Sequence, residues 1–394
     1  MRKITARKIY PVSSEPLENA VLVTDDQGKI LAIEPLEQHD PASLERYDGV
    51  LVPGFVNSHC HLELSHMKGL VDTGTGLIPF ITDVVTKRNF PAEVIAEAIA
   101  SAEQEMLAGG IVALGDISNT TDTFAVKAQG RMRYHTFVEL FDFLQDAGAG
   151  QTFVKGKTVY DQHQPAAGSA KSYVPHAPYT VSPALFGKIN AANEADNVGA
   201  VSIHNQETPP ENEMFLHGTG AFFDFYSKFG ISLEHFRAIG QPSIHYALRH
   251  LDPARRTLFV HNTLTTTDEI RAAQAWSTHT YWATCPNANL YIENRLPNYR
   301  HFLDTGARVT IGTDSLTSNW QLSILEEMKT IARFQRYVPF GAMLRWATLN
   351  GAQALGFDDT LGSLEVGKTP GVLLLEGLEP GGALTTGTTV RRLV

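Results

Sequence analysis

Apolar runs that alternate with helix-like stretches along most of the chain limit the possible folds more than any other feature. The runs at 111–114, 133–140, 172–175, 200–204, 258–261, 281–284 and 308–312 read as strands buried on both faces. Between and after them, 92–107, 183–195, 267–275, 321–336 and 340–355 read as helices. Gly109-Gly110 stops the first, and Ser182 is placed to cap the second. Repeated strand–helix pairs over about 300 residues predict an α/β fold with a parallel sheet, and their number suits a (β/α)8 TIM barrel.

The two ends of the chain read differently. The apolar run 20–23, the turn Asp25-Asp26-Gln27-Gly28 and the run 30–33 form a short-strand pattern. Short strands return after Gly362, most clearly at 372–375. The expected organisation is a small β-sandwich domain built from residues 1–48 plus 360–394, and a barrel over 49–359 that opens with Val50-Leu51-Val52. Residues 150–171 carry Gly, Gln and Pro without clear period and read as a loop.

Of the 394 residues, 43% are hydrophobic, enough for a large core, and the formal net charge is -10. An acidic chain without a basic block predicts no nucleic-acid partner and no anionic membrane surface. The basic start MRKITARKIYP is followed by no apolar run, so neither a signal peptide nor a membrane span is expected. Two cysteines, Cys60 and Cys285, provide no disulfide framework and fit a cytoplasmic location.

Chemistry collects at the strand ends. In Pro53-Gly54-Phe55-Val56-Asn57-Ser58-His59-Cys60-His61, the two imidazoles stand two residues apart on extended chain, and therefore on one face. Such a pair is half of a transition-metal site. Further runs end in His204, His261 and Asp314. Four strands finishing in metal-competent or acid–base residues converge at the C-terminal mouth of a barrel, where this fold builds its catalysis.

These segments resemble the amidohydrolase superfamily, in its deaminase and chlorohydrolase group. The resemblance runs through PGFVNSHCHLELSH (53–66), HAPYTVS (176–182), SIHNQETPPE (202–211), FVHN (259–262), CPNAN (285–289), IGTDS (311–315), NGAQALG (350–356) and LGSLEVGK (361–368). It is similar to the S-adenosylhomocysteine, methylthioadenosine and aminodeoxyfutalosine deaminases. By position, the resemblance implies His59, His61, His204 and Asp314 as ligands of one divalent metal ion, with Zn2+ favoured over Fe2+ for three imidazoles and a carboxylate. Two-metal members carry a lysine on the fourth strand. Here Ser172-Tyr173-Val174-Pro175-His176 has none inside the strand, which favours one ion.

The resemblance further implies that Asp314 accepts a proton from water, that His261 orients that water, and that Glu207 carries a proton to the heterocycle while ammonia leaves. Glu63, His66, His176 and Asn289 are expected around the substrate, with Glu63 alternatively supporting a ligand histidine. Asn57 and Ser315 are read as similar supports. The partner is a small molecule, and a homodimer is expected by analogy alone.

Three departures stand out. The long segment 62–90, expected to act as a lid, has Arg88 where adenosylhomocysteine-type members place a glutamate that binds ribose hydroxyls. Asn205 and Gln206 follow the ligand His204, as substrate contacts or as loop supports. Pro370-Gly371 stands where Ala-Asp is usual. The expected function is hydrolytic deamination of an aminated heterocycle, a purine base or an adenosine-type nucleoside, with an aminodeoxyfutalosine-like compound included. Hydrolysis of another C–N or C–Cl bond is the alternative. A non-catalytic binding protein on the same fold is the remote one.

Overall fold

The computed structural model describes residues 1–379 and 382–394. Six strands come first: β1 (Arg2–Thr5), β2 (Lys8–Ile9), β3 (Ala20–Thr24), β4 (Ile30–Pro35), β5 (Glu45–Arg46) and β6 (Val50–Pro53). Eight follow, separated by helices: β7 (Phe55–Cys60), β8 (Ile111–Ser118), β9 (Arg133–Leu140), β10 (Ala170–Pro175), β11 (Ala200–Asn205), β12 (Arg256–His261), β13 (Thr280–Thr284) and β14 (Val309–Ile311). β15 (Val372–Glu376) and β16 (Thr389–Arg392) complete the set.

The eight middle strands make two four-stranded sheets, in orders β10-β9-β8-β7 and β11-β12-β13-β14. Every pairing within them is parallel. Their residues are almost all buried, which explains why these segments are continuously apolar rather than alternating. The sheets meet along two seams. On one, His204 N–H donates to the His176 carbonyl at 2.9 Å. On the other, the His59 carbonyl accepts from Thr313 N–H at 3.0 Å and Asp314 N–H at 3.1 Å. Ser58 Oγ adds a bond to the Ile311 carbonyl at 3.0 Å on that second seam.

Both chain ends contribute to two further sheets, ordered β4-β3-β1-β5 and β16-β15-β6-β2. Here the sequence reading needs a correction. Val50-Leu51-Val52 does not begin the parallel set: β6 pairs antiparallel with β15, Leu51 opposite Leu374, and parallel with β2. A run buried on both faces looks the same in either sheet, so apolarity alone did not separate them. Leu51 packs in a distinct buried cluster with Ile4, Ile9, Leu22, Ile30 and Leu374.

Two other expectations change. Residues 149–162 form a helix (Ala149–Gln162), not a loop. Gly156 in it lies against Leu140, and a methyl there would come within 2.6 Å of that side chain. The glycine that weakens the helical pattern is therefore what lets the helix approach β9. The helix expected over 340–355 breaks at Thr348 into Phe340–Ala347 and Leu349–Leu355. In contrast, Pro183–Ala195 starts as expected, with Ser182 Oγ accepting from Leu185 N–H.

The segment after β7 makes a short 3-10 turn (Leu62–Met67) and a helix, Leu77–Lys87. That helix is tethered at its start. Gly76 N–H donates to the Ile292 carbonyl at 2.9 Å, and Leu77 N–H to Glu293 Oε1 at 2.8 Å. A carboxylate in that place satisfies a free helical N–H and matches the positive end of the helix dipole. No helix among the described residues is long and apolar enough to cross a membrane.

Candidate active site

The parallel strands deliver the reactive side chains. β7 carries His59 and is followed by His61; β11 carries His204, β12 ends at His261, and Asp314 lies just beyond β14. Gln206, His261, Asn262 and Asp314 all hold positive φ, between 46° and 71°. Non-glycine residues enter that region at a cost, and such strain collects where a backbone must re-aim a side chain into a site. Gly312 has another job. A methyl on it would lie 2.8 Å from His59 O and 2.9 Å from His59 Cβ, so only glycine lets β14 come this close to β7.

The nitrogen and oxygen atoms converge. His59 Nε2 lies 3.2 Å from His61 Nε2. Asp314 Oδ1 lies 3.3 Å from His61 Nε2 and 3.6 Å from His59 Nε2. Ligands about 2.0–2.1 Å from a tetrahedral ion are about 3.3–3.4 Å from one another, so this spacing fits a metal. His59 also groups with His204 and His261, and His204 with Glu139 and His176, so the four expected ligands are spread over three overlapping triples. The His204 ring centroid is 4.9 Å from that of His59 and 5.5 Å from that of His61.

Neighbours fix which nitrogen is free. His204 Nδ1 donates to the His176 carbonyl at 2.8 Å, leaving Nε2 with its lone pair. His261 Nδ1 donates to Asn289 Oδ1 at 2.9 Å, with the same result. Ser318 Oγ donates to Asp314 Oδ2 at 2.6 Å and so leaves Oδ1 facing the imidazoles. Such outer bonds orient ligands and raise their basicity. Asp116 holds the chain just after His61 by accepting from Leu62 N–H at 2.9 Å, and is itself paired with the buried Lys127 at 2.6 Å.

Burial sets the protonation states. It lowers His61 to about 3, His176 and His261 to about 4, and His204 well below its usual value. Neutral imidazoles are the ones that can donate a lone pair. Burial opposes charge on Asp314, but its contact with His59, and then His61 and His261, hold it well below the carboxylate range. Glu207 goes the other way. Burial, then the charge of Asp314, push it well above its usual value, which favours its neutral acid form. Its Oε1 stands 3.7 Å from His261 Nε2.

A pocket of about 170 Å³ opens over this cluster. His61, His204, Glu207, His261, Asp314 and Ser315 form its polar floor. Leu77, Phe80, Ile81 and Val84 from the tethered helix wall it, with Phe141, Phe143 and Phe225 opposite. Of the four expected substrate contacts only His176 lines it, with Nδ1 2.8 Å from Thr180 Oγ1. Glu63 Oε2 instead accepts from Asn119 N–H and Thr120 N–H, each at 3.0 Å, and supports no ligand histidine. His66 Nε2 bonds the Arg88 carbonyl at 3.0 Å, and Asn289 is held by His261. Side chains that near the strand ends turned back to satisfy loop backbone, which residue order cannot reveal.

Gln206 and Asn205 are likewise loop supports. Gln206 Nε2 donates to Glu269 at 3.0 Å, and Asn205 Nδ2 to Asn262 Oδ1 at 3.0 Å. Asn57 joins the strands by accepting from Thr313 N–H at 3.1 Å. Cys60 and Cys285 are buried free thiols. Among the pocket residues missed from sequence is Glu139, near the end of β9. Its Oε2 accepts from Asn119 Nδ2 at 3.1 Å, while Oε1 is buried without a partner. Its signal was the one used for Asp314, a carboxylate where a buried strand ends.

Parallel strands ending in neutral imidazoles around one ionised carboxylate define an α/β enzyme with a candidate metal centre, a hydrolase in class. The chain belongs to the amidohydrolase family, whose model matches residues 50–388. A 5-methylthioadenosine/S-adenosylhomocysteine deaminase of Desulforudis audaxviator is 26% identical over 359 residues, covering 84% of this chain and 74% of that protein. The Helicobacter pylori aminofutalosine deaminase, solved with methylthio-coformycin, superposes with a TM-score of 0.79 at 22% identity, over 96% of this chain and 93% of that one. The atrazine chlorohydrolase of Arthrobacter aurescens TC1, solved with zinc, gives 0.75 at 20% identity, over 98% and 90%.

Proposed function

We propose that this chain is a hydrolytic deaminase of an adenosine-type heterocycle, with one Zn2+ ion held by His59, His61, His204 and Asp314. The reading rests most on Glu207, a buried carboxyl in the pocket beside His261 and the His/Asp cluster, where burial favours its acid form. An acid so placed can protonate a ring nitrogen, which amide hydrolysis does not need. The deaminase names of relatives such as the Desulforudis protein support the same choice.

When bound, the ion supplies Lewis acidity that makes water a nucleophile near neutral pH. Asp314 Oδ1 takes the proton released by that water. His261 Nε2 orients the water toward the carbon under attack. Glu207 delivers its proton to the adjacent ring nitrogen, which makes that carbon electrophilic; Asp314 passes the proton it took to the departing amine as the C–N bond breaks, and the hydroxyl left on the carbon returns a proton to Glu207 as it becomes the carbonyl. The apolar walls hold a flat heterocycle and exclude bulk water. His176, Glu139 and Asn119 contact the polar groups of the substrate.

We also read β7 to β14 as one closed eight-stranded barrel, supported by the hydrogen bonds across both seams. The terminal sheets form a small second unit from residues 1–53 and 360–394, since β6 pairs with β15 rather than with β7. Two buried free cysteines favour a cytoplasmic location. The metal-loaded protein, assayed for ammonia release with adenosine, 5'-methylthioadenosine, adenine and guanine, is expected to turn over at least one nucleoside. Silence on all four, together with chloride release from a chlorotriazine, would overturn the deaminase reading.

A further inference from the structure

A second cavity, of about 480 Å³, opens at the opposite end of the parallel strands. Arg256 begins β12, whose last residue is His261. At about 3.3 Å per residue, the two lie about 17 Å apart along the strand. Arg255, Arg256, Arg308, His279 and Tyr281 line the cavity, with Asp358 as its one carboxylate. A concentration of three arginines is unexpected in a chain of formal net charge -10.

The arginines are not equally engaged. Arg255 pairs with Asp252 at 3.1 Å. Arg308 stacks on Tyr281, 4.3 Å from the ring centroid, and donates to its hydroxyl and to the Thr278 carbonyl, but has no carboxylate partner among the described residues. Arg256 has neither an ion pair nor a side-chain hydrogen bond among them, and its Nε is buried without a partner. Its guanidinium lies close against two glycines. A methyl on Gly199 or on Gly356 would collide with Arg256 Nη2, so two glycines make room for it. A planar cation beside two glycine backbones, with no side-chain hydrogen bond among the described residues, has donors to offer an anion.

We infer that this cavity binds the phosphate group of a small molecule, with Arg256 as its principal donor and Arg308 as the second cation. A tetrahedral dianion matches several N–H donors and more than one positive charge, which a lone carboxylate or chloride does not. The cavity is larger than the ion alone, within the range of small-molecule sites, and so also accommodates an ester.

Calorimetric titration of the metal-loaded protein at constant ionic strength tests this, with inorganic phosphate and glycerol 2-phosphate as probes and chloride as control. At least one phosphate probe is expected to bind, and which one does identifies free phosphate or an ester as the ligand. Arg256→Gln should weaken that binding about tenfold or more, as for a lost hydrogen bond to a charged group. Asp358→Asn, which removes the one opposing charge, should tighten it, and keeps the test alive if the arginine variant does not fold. Binding that survives Arg256→Gln unchanged assigns the phosphate to the catalytic metal instead and overturns the site. Absence of binding by either probe, or an equal response to chloride, overturns it as well.

Discussion

Glu207 and Glu139 are both buried carboxyl groups of one pocket, yet the sequence reading singled out only Glu207. Glu207 follows His204 at a fixed spacing in a matching motif. Glu139 stands outside any motif, in a run that reads as ordinary strand, and only the placing of β9 and β11 either side of β10 brings its Oε1 within 3.6 Å of His204 Nδ1. The two should behave differently when neutralised. Glu207→Gln keeps the shape and the metal but removes the proton, so turnover should fall by about 10²–10⁴-fold. Steady-state kinetics with elemental analysis checks this; a near-normal rate at full metal content would remove Glu207 from the chemistry. At this scale the metal-competent residues were legible, because metal affinity depends on residue type. The turned-back Glu63, His66 and Asn289 were not, because rotamer and loop geometry decide what a side chain touches.

Most strands and helices were legible as patterns, with errors where two environments impose the same pattern. β6 and β7 are both short apolar runs, one residue apart, but belong to different sheets. The break is Gly54, where a methyl would meet Pro370 O at 2.5 Å and collide with the Val112 side chain. The helix Ala149–Gln162 was hidden by the opposite effect, a glycine required by packing rather than by a turn. Close approach of elements also has a testable cost. Gly312→Ala would push β14 off His59 and carry Asp314 with it. Overpacking of this kind costs about 1–3 kcal/mol. A lower melting temperature and metal content below that of the wild type are therefore expected, measured by calorimetry and elemental analysis. A variant with full metal and unchanged stability would show that the two strands can move apart freely.

The whole molecule is joined by polar contacts as well as by its core, and His135 is one of these. Buried on β9, its two ring nitrogens lie 3.1 Å from Leu355 O and 3.1 Å from Ser172 Oγ, linking β9 to β10 and to the final helix of the parallel region. Burial lowers its pKa from 6.5 to about 4, so the fold holds it neutral. The stability it contributes is complete above pH 6.5 and is lost as the pH falls through 6.5 towards 4. The loss reaches at most about 3 kcal/mol, because a tenfold change in proton affinity is worth about 1.4 kcal/mol. Melting temperatures between pH 7 and about pH 4 should fall less steeply in His135→Gln than in the wild type; parallel slopes would place the acid sensitivity elsewhere, the metal centre first. The sequence by itself determined most of the periodic strands and helices, the presence of metal-competent residues at strand ends and the family, because those depend on local pattern and on side-chain chemistry. Only the tertiary structure decided which sheet β6 joins, that Glu139 faces the pocket, and that Arg256 lies unpaired between two glycines. Those outcomes depend on distances between residues far apart in the chain, which no local pattern encodes.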